Sequence, residues 1–263
     1  MGVHLTLLGT GTSQGVPVIA CDCGVCTSHD PRDQRLRSSA LFEVDGAHAP
    51  EGDRTFVIDT GPDFRQQMLR TRVQKLDAVL FTHEHKDHVA GLDDVRAFNF
   101  RQKRDMDVYA APRVQDALRR EFHYVFAEKP YPGVPRVRLN GIDGAPLQVG
   151  GVDIVPLPVM HYRLPVFGFR IGPIAYITDA NALAPETWAR LEGLDVLVLN
   201  ALRREKHISH FNLEEALEVI ERVAPREAYL THISHLFGKH RDVATILPRG
   251  VYLGEDGLRI SAE

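Results

Sequence analysis

The sequence predicts a layered α/β domain in which two sheets pack face to face with helices outside. Three observations predict it. Apolar strand-like runs recur in both halves of the chain with helical patterns between them, and such elements bury their apolar faces only by stacking in layers. His83, His161, Asp179 and His232 each stand just past one of these runs, so separate strands can deliver them to one rim. The chain has 263 residues, 44% of them hydrophobic, which is enough for one large core in a single domain over 1–263.

The opening strand spans Val3 to Leu8 and runs into Gly9-Thr10-Gly11-Thr12-Ser13-Gln14-Gly15. Glycines here permit close backbone approach and exposed N–H groups that suit an anion. Cys21-Asp22-Cys23-Gly24-Val25-Cys26 follows. This spacing lets three thiolates converge on one tetrahedral ion, with a late histidine as the obvious fourth ligand. Clustered and odd in number, the cysteines point to metal rather than to a disulfide framework. Arg37 to Val44 and Thr55 to Ile58 read as strands around a polar loop that contains Ala49-Pro50-Glu51-Gly52. Asp59-Thr60-Gly61-Pro62-Asp63-Phe64 comes next, with Asp63 as the expected N-cap of a helix over 64–72.

Leu76 to Phe81 reads as a buried strand, and Thr82-His83-Glu84-His85-Lys86-Asp87-His88 leaves its C-terminal end. Neutral imidazoles with a carboxylate suit zinc, iron or manganese. A helix starts over Val89 to Phe98, a short strand spans Val108 to Ala110, and an amphipathic helix spans Arg113 to Phe126. Residues 127–146 are rich in proline and glycine and read as an irregular connection; the wider stretch 99–146 is a candidate lid. Val152 to Pro158 is a strand that runs on to His161. Phe167 to Ile171 and Ile174 to Ile177 form a hairpin ending in Thr178-Asp179. Leu194 to Asn200 is a buried strand, and His210 precedes an amphipathic helix over Leu213 to Val223 with Asn212 as its cap. Glu227 to Leu230 is a further strand, which leads to Thr231-His232, and short strands close the chain at Val251 to Leu253 and Leu258 to Ile260.

Lys and Arg number 31 against 35 Asp and Glu, a net charge of -4. That balance argues against a polyanion-binding surface, so no large nucleic acid is expected as a partner. There is no signal-peptide pattern and no run of ~18 apolar residues, so a soluble cytoplasmic protein with no membrane partner is expected.

The motif His83-x-His85-x-Asp87-His88, followed by His161, Asp179 and His232, resembles the metallo-β-lactamase superfamily over essentially the whole chain. More narrowly, the chain looks like the phosphonate-pathway phosphodiesterase branch, which hydrolyses cyclic ribose phosphates. Gly9-Thr10-Gly11-Thr12-Ser13, Cys21-Asp22-Cys23-Gly24-Val25-Cys26, Asp59-Thr60-Gly61-Pro62-Asp63-Phe64 and Thr231-His232-Ile233-Ser234-His235 carry that narrower likeness. The resemblance implies a four-layer αββα sandwich. It implies two divalent ions, zinc or manganese: one on His83, His85 and His161, the other on Asp87, His88 and His232, with Asp179 bridging. It implies a third, structural zinc on Cys21, Cys23, Cys26 and His235. His210 and Asp87 are the catalytic residues it marks, His210 as the phosphate-assisting histidine; His207 nearby reads as a solvated loop residue, and Glu84 and Lys86 are assigned no role. Relatives of this type are often homodimers. The implied activity is hydrolysis of a small or cyclic phosphodiester by a hydroxide held between two cations. The alternatives are a thioester or lactone hydrolase on the same metals and a cofactor-biosynthesis protein of the same superfamily. A tRNA-processing nuclease is disfavoured, because no basic arm is present.

Overall fold

The computed structural model describes residues 2–46 and 52–262. Ala49, Pro50 and Glu51 of the polar loop lie outside them. Among the described residues, strands β1 (Val3–Gly9), β2 (Ser39–Val44), β3 (Arg54–Ile58), β4 (Ala78–Leu80), β5 (Met106–Ala110) and β6 (Val137–Gly141) lie side by side in that order. The second sheet is built from β7 (Leu147–Val149), β8 (Val152–His161), β9 (Leu164–Ile171), β10 (Ile174–Ile177), β11 (Ala182–Leu183), β12 (Val196–Asn200), β13 (Glu227–Thr231) and β14 (Val251–Leu253). Its order is β11-β8-β9-β10-β12-β13-β14, with β7 also on β8. The last strand, β15 (Arg259–Ala262), returns to the first sheet beside β1. The helices are α1 (Phe64–Thr71), α2 (Lys86–Val89), α3 (Arg96–Gln102), α4 (Pro112–Glu121), α5 (Pro185–Arg190), α6 (Leu213–Val223) and α7 (His240–Ala244).

Strand alternation sorts the apolar side chains into three cores. Leu5, Phe42, Phe56, Ile58 and Leu80 of the first sheet meet Ile154, Phe169, Tyr176 and Val198 of the second between the sheets. Leu41, Val57 and Val79 point the other way and meet Phe64 and Met68 of α1, Phe98 of α3, and Val114 and Leu118 of α4. Leu157, Ala175, Leu197 and Leu199 likewise meet Ala216, Val219 and Ile220 of α6 and Val243 of α7. Being buried on both faces, the central strands read as unbroken apolar runs. Each fully buried large side chain contributes roughly 1.5–3 kcal/mol. The result is the αββα sandwich expected from the sequence.

Several elements differ from the sequence reading. The 127–146 connection contains β6, a half-exposed edge strand whose Arg138 and Asn140 hide its β pattern. Residues 99–146, the candidate lid, thus contribute β5, α4 and β6 to the edge of the first sheet and its outer layer. The helix expected to reach Phe126 ends at Glu121. Asp63 stands at the N-cap of α1 but makes no cap hydrogen bond; its carboxylate accepts from Arg37 N at 2.9 Å and Arg37 Nη1 at 3.0 Å. Asn212 does cap α6, accepting from Glu215 N while Glu215 accepts from Asn212 N. No helix among the described residues is long and apolar enough to cross a membrane.

Strands β3-β4-β5-β6 and β10-β12-β13-β14 run parallel within their sheets. Their carboxyl ends therefore share a rim, the usual place for chemistry in such sheets.

Candidate metal centres

Four of the expected ligands leave the ends of separate strands. His83 follows β4, His161 ends β8, Asp179 follows β10 and His232 follows β13. His85 is the N-cap of α2, which places Asp87 and His88 in that helix. The chain bends sharply here. Asp179 and His232 adopt left-handed backbone at φ 58 and 56, as does Asp59 at φ 63 after β3. Non-glycine residues enter that region at a cost, and strained positions of this kind cluster at functional sites as well as at helix ends. Close backbone contact adds to the constraint: a Cβ on Gly61 would lie 2.1 Å from the Asp87 carbonyl oxygen, so only glycine lets that segment pass.

These residues converge. Donor atoms of His83, His85 and His161 lie within 4.8 Å of one another, and so do those of Asp87, Asp179 and His232. His88 groups with His83 and Asp179, and its Nε2 stands 3.2 Å from both Asp87 Oδ2 and Asp179 Oδ2. Asp179 Oδ2 is also 3.2 Å from His232 Nδ1. His210 joins His161 and Asp179, its ring centroid 4.6 Å from that of His161 and 4.8 Å from that of His232. His207 stacks at 5.2 Å on the outer side of His210.

A further set of groups orients the ligands. His88 Nδ1 lies 2.7 Å from Asp59 Oδ2, and Thr82 N and Oγ1 donate to the same carboxylate at 2.9 and 2.7 Å. His161 Nδ1 donates to the Ser209 carbonyl at 2.9 Å, which leaves its Nε2 to face the cluster. His232 is flanked by Ser38 Oγ at 3.1 Å and Thr12 Oγ1 at 3.2 Å. Asp59 was open to discovery from sequence, because it stands at a strand end like the ligands do. Ser38 and Thr12 carried no such signal.

Electrostatics favour a cation. Burial holds His83 well below the usual imidazole range and also lowers His232. Burial opposes charge on His88, yet the surrounding Asp179, Asp59 and Asp87 carboxylates outweigh it and push that histidine well up. Burial would likewise raise Asp179, but His232 and His88 drive it well below the carboxylate range. Burial and His232 bring His210 down to about 3, so its imidazole is neutral. Among the described residues, His88 Nε2 and His210 Nδ1 are buried without a hydrogen-bond partner. Buried polar atoms are rarely left so, and imidazoles beside carboxylates are the donor set for zinc or manganese, a cation taking the place of the proton that the carboxylates favour on His88. The residues fit divalent ions.

The second cluster is built differently. Thr12 N donates to Ile233 O at 3.1 Å and Ile233 N to Thr10 O at 2.8 Å, zipping the N-terminal loop to the segment after β13. That brings Cys21, Cys23 and Cys26 Sγ to 3.3, 3.4 and 3.5 Å from His235 Nδ1. The Cys26 N–H and His235 lower the Cys23 thiol to about 6, which favours the thiolate that binds metal. Most N–H groups of the glycine loop are already taken. The N–H groups of Thr10, Gly11, Thr12 and Gly15 are held by Asp256, Leu36, Ile233 and Thr12. Its glycines serve close packing: a Cβ on Gly9 would lie 2.0 Å from the Arg37 carbonyl oxygen.

Comparison with known proteins places the fold. The family model described as "Beta-lactamase superfamily domain" matches residues 54–233. The chain belongs to the beta-lactamase superfamily. Within this superfamily, a crystal structure of a diphosphatase from the PhnP family superposes with TM-score 0.91 at 37% identity, covering 100% of this chain and 98% of that one. Zn(2+)-bound PqqB from Methylobacterium extorquens superposes with TM-score 0.74 at 20% identity, over 98% of this chain and 99% of that one, a likeness of fold. An octanoyltransferase from Porphyromonas gingivalis is 42% identical over 254 residues, which is 96% of this chain and 50% of that protein. The chain thus spans half the length of that relative. As a superfamily member with the His/Asp cluster in place, the protein has the fold of a metal-dependent hydrolase.

Proposed function

We propose that the protein is a metal-dependent phosphodiesterase acting on a small or cyclic phosphodiester. His83, His85 and His161 would hold one divalent ion, and Asp87, His88 and His232 another, with Asp179 shared. The observation that carries this reading is the central place of Asp179, which falls within donor reach of His83, His88, His161, His210, Asp87 and His232. The 37% identical PhnP-family structure supports the phosphoryl substrate. Bound ions supply Lewis-acid neutralisation of phosphoryl charge and a water acidified toward neutrality.

The chain's own residues do the rest. Asp59 holds His88, and the Ser209 carbonyl holds His161, in fixed orientations. His210 borders the same space as a neutral imidazole, and its ring N–H donates to a phosphoryl oxygen or to the departing oxygen. His161 and His232 pack on either side of it and keep the ring in place. Cys21, Cys23, Cys26 and His235 would hold a structural zinc that fastens the N-terminal loop to the His232 segment.

The test is a substrate screen with zinc- or manganese-loaded protein. Hydrolysis of bis(p-nitrophenyl) phosphate and of a cyclic ribose phosphate, lost on metal removal, is the expected result. A second reading, thioester hydrolysis, draws on the name of the 42% identical octanoyltransferase. The screen therefore includes an octanoyl thioester. Turnover of the thioester without the phosphodiesters would replace the first reading with the second.

A further inference from the structure

The metal-binding motif alternates. His83, His85 and Asp87 face the cluster, while Glu84 and Lys86 face away and meet α4. Glu84 Oε1 lies 3.0 Å from Arg113 Nε at the start of α4. Lys86 Nζ lies 2.5 Å from Glu121 Oε2 at its end. Both helix charges oppose the macrodipole, which disfavours a cation in the first turn and an anion in the last. They are therefore poorly placed to stabilise α4 itself.

Arg113 makes a second contact. Its Nη2 donates to the Pro165 carbonyl at 3.0 Å. Pro165 pairs with Met160 across the β8–β9 hairpin, one residue from His161. A single guanidinium thus joins the loop that carries His83 and His85 to the hairpin that carries His161. Those are the three residues of one donor group. The planar fork of arginine suits such a two-point bridge, and an ammonium does not. On the other side of the pair, the Glu84 side chain is only 21% exposed, and its Oε2 is buried with no hydrogen-bond partner among the described residues. Removing the guanidinium would strand a largely buried carboxylate between two metal ligands.

We propose that Arg113 is a positioning residue that sets the spacing of His83, His85 and His161 and so the metal affinity of that centre. Lys86 and Glu121 form a weaker second tie, because the lysine is 68% exposed. The inference rests on the metal reading of the motif.

The experiment measures zinc affinity by chelator competition, together with the melting curve of the metal-free protein, for the wild type, Arg113→Ala, Arg113→Lys and Glu84→Gln. Arg113→Ala and Glu84→Gln should each weaken zinc by about tenfold, as loss of a ligand-orienting partner does. Arg113→Lys should fall between them and the wild type, and the metal-free melting curves should coincide. Affinity within about twofold of wild type in both Arg113→Ala and Glu84→Gln would overturn the proposal. So would a fall in metal-free melting temperature that matches the loss of zinc. If Arg113→Ala does not fold, Glu84→Gln decides alone. Wild-type protein that binds no zinc beyond the single ion lost in Cys23→Ser would instead refute the metal reading beneath it.

Discussion

The two candidate metal clusters of this chain sit on one rim but follow different rules. Histidines and aspartates make the first, largely buried, with left-handed backbone at Asp179 and His232, and with His88 Nε2 and His210 Nδ1 beside the Asp179 carboxylate but not hydrogen-bonded. Three half-buried thiols and one imidazole make the second, meeting at a single point, with the Val18 and Cys26 N–H groups directed at sulfur. The first leaves several donors around a shared space, as a centre that must admit a substrate does. The second closes its donors on one another, as a structural zinc site does. On the proposed reading, function and stability are divided between neighbouring clusters.

The largest effect that could break this division belongs to Asp179. Asp179→Ala removes the carboxylate common to both His/Asp groups. Phosphodiester turnover should fall by more than about 100-fold, beyond what loss of an outer partner causes, and bound metal should drop. Near-normal turnover with full metal content would show that Asp179 does not join the two groups.

His210→Ala comes next. It removes a hydrogen-bond donor to the phosphoryl group without removing a ligand, so kcat should fall by about 10²-fold while metal analysis stays at the wild-type level. His207→Ala, which takes away only the outer ring of the stack, should matter far less. If His207→Ala were the worse of the two, the role would pass to His207.

Asp59→Asn sharpens the comparison from behind. The substitution keeps the shape but weakens the hold on His88 Nδ1. Metal affinity or turnover should fall by about 10- to 100-fold with the fold intact. Unchanged affinity and rate would reduce Asp59 to a buried structural carboxylate.

The smallest catalytic effect is expected at the cysteine cluster. Cys23→Ser or His235→Ala should lose one ion per chain and lower the melting temperature, while the folded fraction keeps its turnover. An unchanged ion count in both variants would remove the structural metal from the picture.

Much of this was legible in the sequence because strand ends are legible. His83 and Asp179 each follow a run of apolar residues that is buried on both faces, and His232 follows a strand whose alternate residues are buried; such patterns are recognisable without knowing their neighbours. The three cysteines gave their site away through local spacing alone. Roles that depend on long-range pairing did not show. Asp59 finds His88 across 29 residues. Arg113 finds Glu84 only once β5 and α4 have folded against the first sheet. The partner of the Thr10 N–H in the glycine loop was hidden for the same reason, because Asp256 lies more than two hundred residues further along the chain. Strand β6 was hidden by its half-exposed edge position, where polar residues blur the alternation.

The most direct measurement sets Asp179→Ala beside Cys23→Ser in the same preparations and follows bound metal, melting temperature and turnover of bis(p-nitrophenyl) phosphate. Division of labour predicts a crossed result. Asp179→Ala should lose turnover and its His/Asp metal yet keep the cysteine-site ion and melt above Cys23→Ser, whereas Cys23→Ser should melt lower, with one ion fewer and turnover per folded molecule retained. Loss of turnover in Cys23→Ser protein that is still folded and still holds its His/Asp metals would contradict it.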